Sequence, residues 1–399
     1  MDEITIGKIK IGKNHPCFIV AEAGANHDGD FNKAKQLVDA ALETNASAIK
    51  FQHYTAGKLA SKEAKRYWFV HGDTKGYQFD PKNYKESQIE TFNKIDGIPR
   101  EKDAELIRYA EQKGIVIFST PFDFESVDHL DSLGTPMFKI ASGDLTYHDF
   151  LRHVASKGKP VILSTGAATM EEIHAAVDVI KFSGNHQIIL LHCTLAYPTP
   201  LEHANLLMMK HLENEFPDCL IGLSDHTPGV EADVAAAMLG AVMIEKHFTH
   251  TPGHAAGSDK VGDSPDHDIG IGKKEFTELV RRIRENEAKK IGVAFGESYE
   301  SVTSKIKAGK FPQVLGSSAI KEVDSEVELK ARLQARRSVV ADRAIKVGTT
   351  ITKAMLTDGT FAVKRPGTGI APYEIGKLIG KVVKTDIAPD TVLTLGHFV

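Results

Sequence analysis

Eight short apolar runs recur along roughly the first 290 residues, each followed by a stretch of helical period, and this alternation restricts the chain to an α/β architecture built on a parallel sheet. The runs are Phe18–Ala23, Ala48–Gln52, Val116–Ser119, Met137–Ala141, Val161–Ser164, Ile188–His192, Leu220–Leu223 and Met243–His247. Between the first two, Phe31, Ala34, Leu37, Val38, Ala41 and Leu42 fall at offsets that bury one helical face. Thr169 with Glu172 three residues on is a capping-box pattern ahead of Ile173, Ala176, Val177 and Ile180, Gly184 closes that helix, and Pro99 opens another. Eight strands alternating with helices over about 250 residues predict a (β/α)8 TIM barrel. A doubly wound open sheet has fewer strands and a Gly-rich first turn.

The chain is 399 residues long, too long for one ordinary core. The predicted division is a barrel over 1–290, a charged connector over 291–335, and a small β-rich domain over 336–399. Within the last, Ser338–Ala341, Val347–Ile351, Phe361–Lys364 and Val392–Leu395 read as strands. About 60 residues make little core, so this domain is expected to lean on the barrel or on a second subunit. The barrel rhythm breaks between about Ser61 and Asn93, where Tyr67, Trp68, Phe69, Tyr77, Phe79 and Tyr84 stand among polar residues. A long loop after a barrel strand reads as functional, with a packed surface insertion as the alternative.

A formal charge of −4 supplies no global basic field for nucleic acid or an anionic membrane. Cys17, Cys193 and Cys219 show no CxxC spacing, which argues against a disulfide framework or structural zinc. No basic leader and no run of about 18 apolar residues occurs, so a soluble, cytoplasmic protein is expected.

Three lysines lie inside apolar strands: Lys50, Lys139 and Lys246. Buried lysines need anions, either internal carboxylates such as Glu22 and Glu245 or a bound phosphate. Ser119-Thr120, Ser142-Gly143 and Ser164-Thr165-Gly166, all at strand C-termini, add hydroxyls to the same end of the barrel and favour the phosphate. His226 and His247 end successive strands and together suit one divalent ion, whereas either alone reads first as a hydrogen-bonded core histidine. His27 is placed near the same face, and Glu22, a carboxylate inside an apolar strand, is a structural partner of a lysine or an acid/base. Cys193 reads as buried filler, and Gly367-Thr-Gly369, lacking GK[ST], as a turn.

The strings AEAGANHDG (21–29), IKFQ (49–52), FSTPFD (118–123), FKIASGDL (138–145), ILSTG (162–166), LLHCTLAYPTP (190–200), IGLSDHT (221–227), IEKHFT (244–249), GSDK (257–260), ARRSVVA (335–341) and VKRPGTGI (363–370) run in one order along the chain. In that order they resemble the sialic acid synthase family, in which a phosphoenolpyruvate-condensing barrel precedes an antifreeze-like domain. The resemblance implies condensation of phosphoenolpyruvate with an open-chain N-acetylhexosamine such as N-acetylmannosamine, giving a nine-carbon 2-keto acid and phosphate. It implies Glu22 as acid/base, His226 and His247 as ligands of Mn2+ or Mg2+, and Lys50, Thr120, Phe122, Lys139, Ser142 and Ser164 around phosphoenolpyruvate. Ser224 falls near the metal, Tyr197 and Asp259 near the sugar, and Arg365 is expected to reach the active site of a partner in a domain-swapped homodimer. Leu195 stands where the family carries Asn, Val261-Gly-Asp263-Ser-Pro265 departs from its usual stretch, and the connector is longer. Two other readings stay open: a legionaminic or pseudaminic acid synthase acting on a 2,4-diacetamido-6-deoxyhexose, and an inactive sugar-binding barrel.

Overall fold

The computed structural model describes residues 1–68, 87–95, 97–251 and 264–399. A hairpin of β1 (Glu3–Ile6) and β2 (Ile9–Gly12) precedes the barrel strands β3 (Phe18–Gly24), β4 (Ala48–His53), β5 (Val116–Pro121), β6 (Phe138–Ile140), β7 (Val161–Ser164), β8 (Ile188–Cys193), β9 (Leu220–Asp225) and β10 (Met243–His247). These eight are the eight expected runs. They pair in parallel and in sequence order, and β10 closes the barrel on β3. The expected helices cover the outside. In 31–43 the residues Ala34, Leu37, Val38 and Ala41 are buried against the strands. In 170–182 the Thr169 side chain and Glu172 form the capping box, and Gly184 follows the C-cap at φ 85°. No helix among the described residues is long and apolar enough to cross a membrane.

The N-terminal hairpin is not among the sequence expectations. Ile4, Ile6 and Ile11 enter the lower barrel and pack with Phe18, Val20, Phe118, Ile189 and Leu220, which fills the N-terminal mouth with side chains. Its signal is a two-residue Gly7-Lys8 turn, with Gly7 at φ 57°, between two alternating apolar pairs. A plugged lower half leaves only the C-terminal mouth for chemistry.

Strand alternation separates the three strand lysines. On β10, Glu245 and His247 face the barrel interior, while Lys246 between them faces outward. Its Nζ lies 2.5 Å from both Asp225 Oδ2 and Thr227 O and 3.4 Å from Asp233 Oδ2, fully buried against the helix 231–238. The phosphate reading of Lys246 is therefore corrected: its anions are internal. Burial pushes Asp233 well above the carboxylate range, while Lys246 holds Asp225 below it against burial. The three groups carry little net charge.

The small domain holds a three-stranded antiparallel sheet in the order β12-β11-β13, made of β11 (Ser338–Ala341), β12 (Phe361–Lys364) and β13 (Thr391–Val392). Two expected strands differ. Residues 347–351 form a turn at Gly348 (φ 78°) followed by an isolated bridge at Thr350, and 395–397 form a 3-10 turn. The domain has its own core around Val339, Ile351, Leu378, Leu393 and Phe398. It also docks on the barrel, where Arg365 N donates to Leu59 O at 3.0 Å and Ser61 N donates to Arg365 O at 2.9 Å.

The connector accounts for Leu195. Glu328, buried at its end, accepts from the backbone N–H groups of Ala167 and Leu195, each at 2.7 Å, and from Asp324 N at 2.8 Å. The helix 329–335 then lays Ala331 and Ala335 on Ala167 and Leu195. An apolar side chain at 195 is the complement of this helix.

Two variants test these assignments. Lys246→Ala strands buried carboxylates and should cost about 3–5 kcal/mol, read as an earlier urea midpoint, with affinity of the remaining folded protein for anionic ligands unchanged. Weakened anion binding at full stability would return Lys246 to the site. Leu195→Asn buries an amide against alanines and should cost about 2–4 kcal/mol, with proteolysis of the connector accelerated. A stable variant that binds phosphate more tightly would contradict the packing role.

Candidate active site

The C-terminal mouth opens into a cavity of about 420 Å3. It receives side chains from the ends of most barrel strands and from the small domain, because interior positions recur every second residue: Lys50 and Gln52 on β4, Glu245 and His247 on β10.

At its floor lies a chain of alternating charges. Lys50 forms a short ion pair with Glu22 Oε2, donates to Thr120 Oγ1 at 2.9 Å, and lies 3.7 Å from Glu245 Oε2. Lys139 Nζ lies 2.9 Å from Glu245 Oε1, which also accepts from Ser224 Oγ at 3.1 Å. Both lysines are thus paired with internal carboxylates, the first of the two sequence alternatives, and also line the cavity. The glutamates diverge. Burial lifts Glu22 to about 7 against the pull of Lys50, whereas for Glu245 burial is overcome by Lys139 and Lys50, which hold it at about 2.

Hydroxyls surround this floor. Ser142 Oγ accepts from Gly166 N at 3.0 Å and sits 3.8 Å from Cys193 Sγ, while Ser164 Oγ is buried without a hydrogen-bond partner. Phe122 lines the wall beside them. Burial pushes the Cys193 thiol up to about 11, which leaves it neutral.

His226 and His247 meet beside Cys193, with ring centroids 5.4 Å apart and Cys193 Sγ 3.9 Å from His226 Nδ1. Burial holds His226 at about 4 and His247 well below its ordinary value, so both rings are neutral. Pairing of His226 Nδ1 with Thr194 O at 3.0 Å places the proton there and leaves Nε2 as the lone-pair nitrogen. His247 Nδ1 has no hydrogen-bond partner and stands 3.8 Å from Asp266 Oδ2. Two bare imidazole nitrogens suit a divalent ion. Among the described residues no group of three or more His, Cys, Asp or Glu has metal-holding geometry.

The outer part is aromatic. Tyr197 lies 4.2 Å from the His226 ring and 5.9 Å from Tyr67, which packs edge-on against Trp68. This brings one end of the long insertion into the site. Arg365 descends from above, its guanidinium carbon 5.6 Å from the Phe122 ring and 5.9 Å from that of Phe92, with Nη1 bonded to Gln88 Oε1 at 3.3 Å. Arg365 enters the cavity of its own barrel. Exchange of small domains between two chains would reproduce the same contacts in the arrangement that the sequence reading expects.

One other expectation changes, the placement of His27. Asp259 lies outside the described residues. Asp266 lines the cavity; Gln52 Nε2 joins it to Glu22, donating to Asp266 Oδ2 at 3.2 Å and Glu22 Oε1 at 3.0 Å, and burial lifts Asp266 to about 6. His27 faces away: its Nδ1 accepts from Gly29 N, its ring packs near Phe51, and burial holds it at about 4. Gln52 and Glu245 were legible as interior neighbours of Lys50 and His247 at spacing two. Asp266, in a Pro-Asp-His turn, has no periodic signal.

Residues 37–293 match the NeuB family and residues 336–399 the SAF domain. The chain is 35% identical over 97% of its length to the N,N'-diacetyllegionaminic acid synthase of Legionella pneumophila, covering 96% of that protein. It is 31% identical over 96% of its length to the human N-acetylneuraminate-9-phosphate synthase, covering 93% of it. The crystal structure of the spore coat polysaccharide biosynthesis protein SpsE from Bacillus subtilis superposes over all of this chain and 99% of that one, with a TM-score of 0.76 at 31% identity. The family model covers more than half of the chain and the relatives nearly all of it, and the chain belongs to the NeuB family, with a C-terminal SAF domain.

Proposed function

We propose that the chain condenses phosphoenolpyruvate with an open-chain N-acetylated hexosamine and water, giving a nine-carbon 2-keto sugar acid and phosphate. The observation that carries this reading is the Glu22–Lys50–Glu245–Lys139 chain at the cavity floor. Its charges balance while Glu22 is ionised. Protonation of Glu22 near pH 7 leaves one excess positive charge, which a phosphate anion compensates among Thr120, Ser142, Ser164 and Ser224.

The double-bond electrons of phosphoenolpyruvate form the new bond to the aldehyde carbon, and the carbonyl electrons move onto its oxygen. Protonated Glu22 delivers a proton to that oxygen. Water adds at C2 and Glu22 as carboxylate takes one of its protons; the C2–O bond to phosphate then breaks, the C2 hydroxyl becomes the ketone, and its proton leaves with the phosphate. Lys50 and Lys139 neutralise the departing phosphate. His226 and His247 would hold a Mn2+ or Mg2+ ion, whose chemistry there is Lewis-acid polarisation of the aldehyde. Arg365, with Nε free of hydrogen bonds, presents a planar fork to an acetamido carbonyl.

N-acetylmannosamine is the parent substrate of this reading. The outer wall of Leu59, Tyr67, Trp68, Phe92, Phe122 and Ile269 favours a second one, a 2,4-diacetamido-6-deoxyhexose, whose three methyl groups match apolar surface. Phosphate release from phosphoenolpyruvate with each sugar separates them: the higher kcat/KM identifies the substrate, and no release with any hexosamine by folded protein would leave the sugar-binding barrel.

Glu22→Gln should lower kcat about 10²–10⁴-fold with little change in phosphoenolpyruvate affinity. The wild-type rate profile should break near pH 7, and the break should vanish in the variant. A fall in rate above the break marks the acid step as limiting, a fall below it the base step. Near-wild-type turnover would make Glu22 structural. Chelation should abolish turnover and Mn2+ or Mg2+ restore it; full activity of a metal-free His226→Ala, His247→Ala protein would remove the ion from the reaction.

A further inference from the structure

Two adjacent arginines stand where the connector becomes the small domain, both buried. Arg337 donates from Nε to Asp144 Oδ1 at 2.5 Å, from Nη2 to Phe122 O at 2.7 Å, and from Nη1 to Lys58 O and Val363 O, each at 3.2 Å. Those acceptors lie on the loops after β4, β5 and β6 and on β12, two residues before Arg365. Arg336 donates from Nη1 to Ser142 O at 2.6 Å and from Nη2 to Ala167 O at 3.0 Å, with Glu172 3.3 Å away as its counter-ion. It joins the loops after β6 and β7.

The join has no slack. A Cβ on Gly143 would lie 2.5 Å from Ala335 O, and one on Gly367 would lie 2.4 Å from Arg336 Cβ. Neither arginine lines the cavity. Each holds the backbone of a residue that does, Phe122 for Arg337 and Ser142 for Arg336.

We propose that Arg336 and Arg337 are positioning residues that fasten the loops bearing Thr120, Phe122, Ser142 and Gly166 into the shape that receives the phosphorylated substrate. Docking of the small domain then does two things at once: it delivers Arg365 to the sugar end and sets the phosphate end. The inference rests on the function proposed above. A lysine cannot replace Arg337, because one ammonium nitrogen cannot span acceptors on four chain segments, whereas the guanidinium fork does. Three backbone carbonyls, those of Lys58, Phe122 and Val363, would also lose the Arg337 donor inside the protein.

The test uses the full-length protein with steady-state kinetics in both substrates. Arg337→Lys should stay folded and lower kcat/KM for phosphoenolpyruvate about 10–100-fold, the effect expected of loops displaced by about an ångström. The KM for the sugar should move less than about threefold. In Arg337→Ala, low-millimolar guanidinium should restore part of the rate and an alkylammonium should not. Arg343→Lys, on an exposed arginine paired with Asp358, is the control and should match the wild type. If Arg337→Ala does not fold, Arg337→Lys and Arg336→Lys decide. Wild-type phosphoenolpyruvate kinetics in both lysine variants, or equal losses for both substrates without guanidinium rescue, would overturn the inference while leaving the function standing. Absence of phosphate release from the wild type would overturn both.

Discussion

An ammonium group inside a barrel must keep an anion within a few ångströms, and the active end of this protein is arranged around that requirement. Lys50 and Lys139 face inward, so carboxylates must face inward with them. Glu245, held between both lysines, stays ionised. Glu22 meets Lys50 alone and is raised to about 7. Two residues of one chemical type thereby acquire different work, one as a fixed counter-charge and the other as a group able to exchange a proton near neutrality. The difference comes from the number of cations each one touches.

The same desolvation rule explains why Lys246, one residue along from Glu245, takes no part. Strand alternation sends it outward, where Asp225 and Asp233 must accompany it. Reading the lysines by type groups all three, whereas reading them by parity separates Lys246 from Lys139 and Lys50. Much of the barrel was legible in this way: the eight strands, the capping box at Thr169 and the buried face of the helix 31–43 follow from local periodicity. What was not legible depends on distant contacts. Asp266 reaches the site from a turn without periodicity, the hairpin of β1 and β2 is defined by the barrel it plugs, and residues 347–351 turn at Gly348 where their composition suggested a strand.

The connector shows how residues in separate segments explain one another. Leu195, where the sequence resemblance leads one to expect Asn, faces the connector. Its helix 329–335 brings alanines down on Leu195, and the backbone N–H groups at 167 and 195 are taken by Glu328. A polar side chain at 195 would compete with that packing. Leu195, Ala167 and the connector helix are thus packed as one unit at the C-terminal mouth.

This covering also decides what reaches the sugar end. Arg365 is fixed by backbone hydrogen bonds to residues 59 and 61, on the segment that leads directly into the long aromatic insertion. Tyr67 and Trp68 continue from there to the cavity wall. The arginine and the aromatic wall are therefore set by one interface, and neither can shift without the other. A guanidinium held between Phe92 and Phe122 is stripped of much of its water before any ligand arrives. Its bare Nε–H is a buried donor that an acceptor on a ligand, such as an amide carbonyl, would satisfy. Under the function proposed above, that unfilled donor is the physical basis for distinguishing an acetamido sugar from an unsubstituted one.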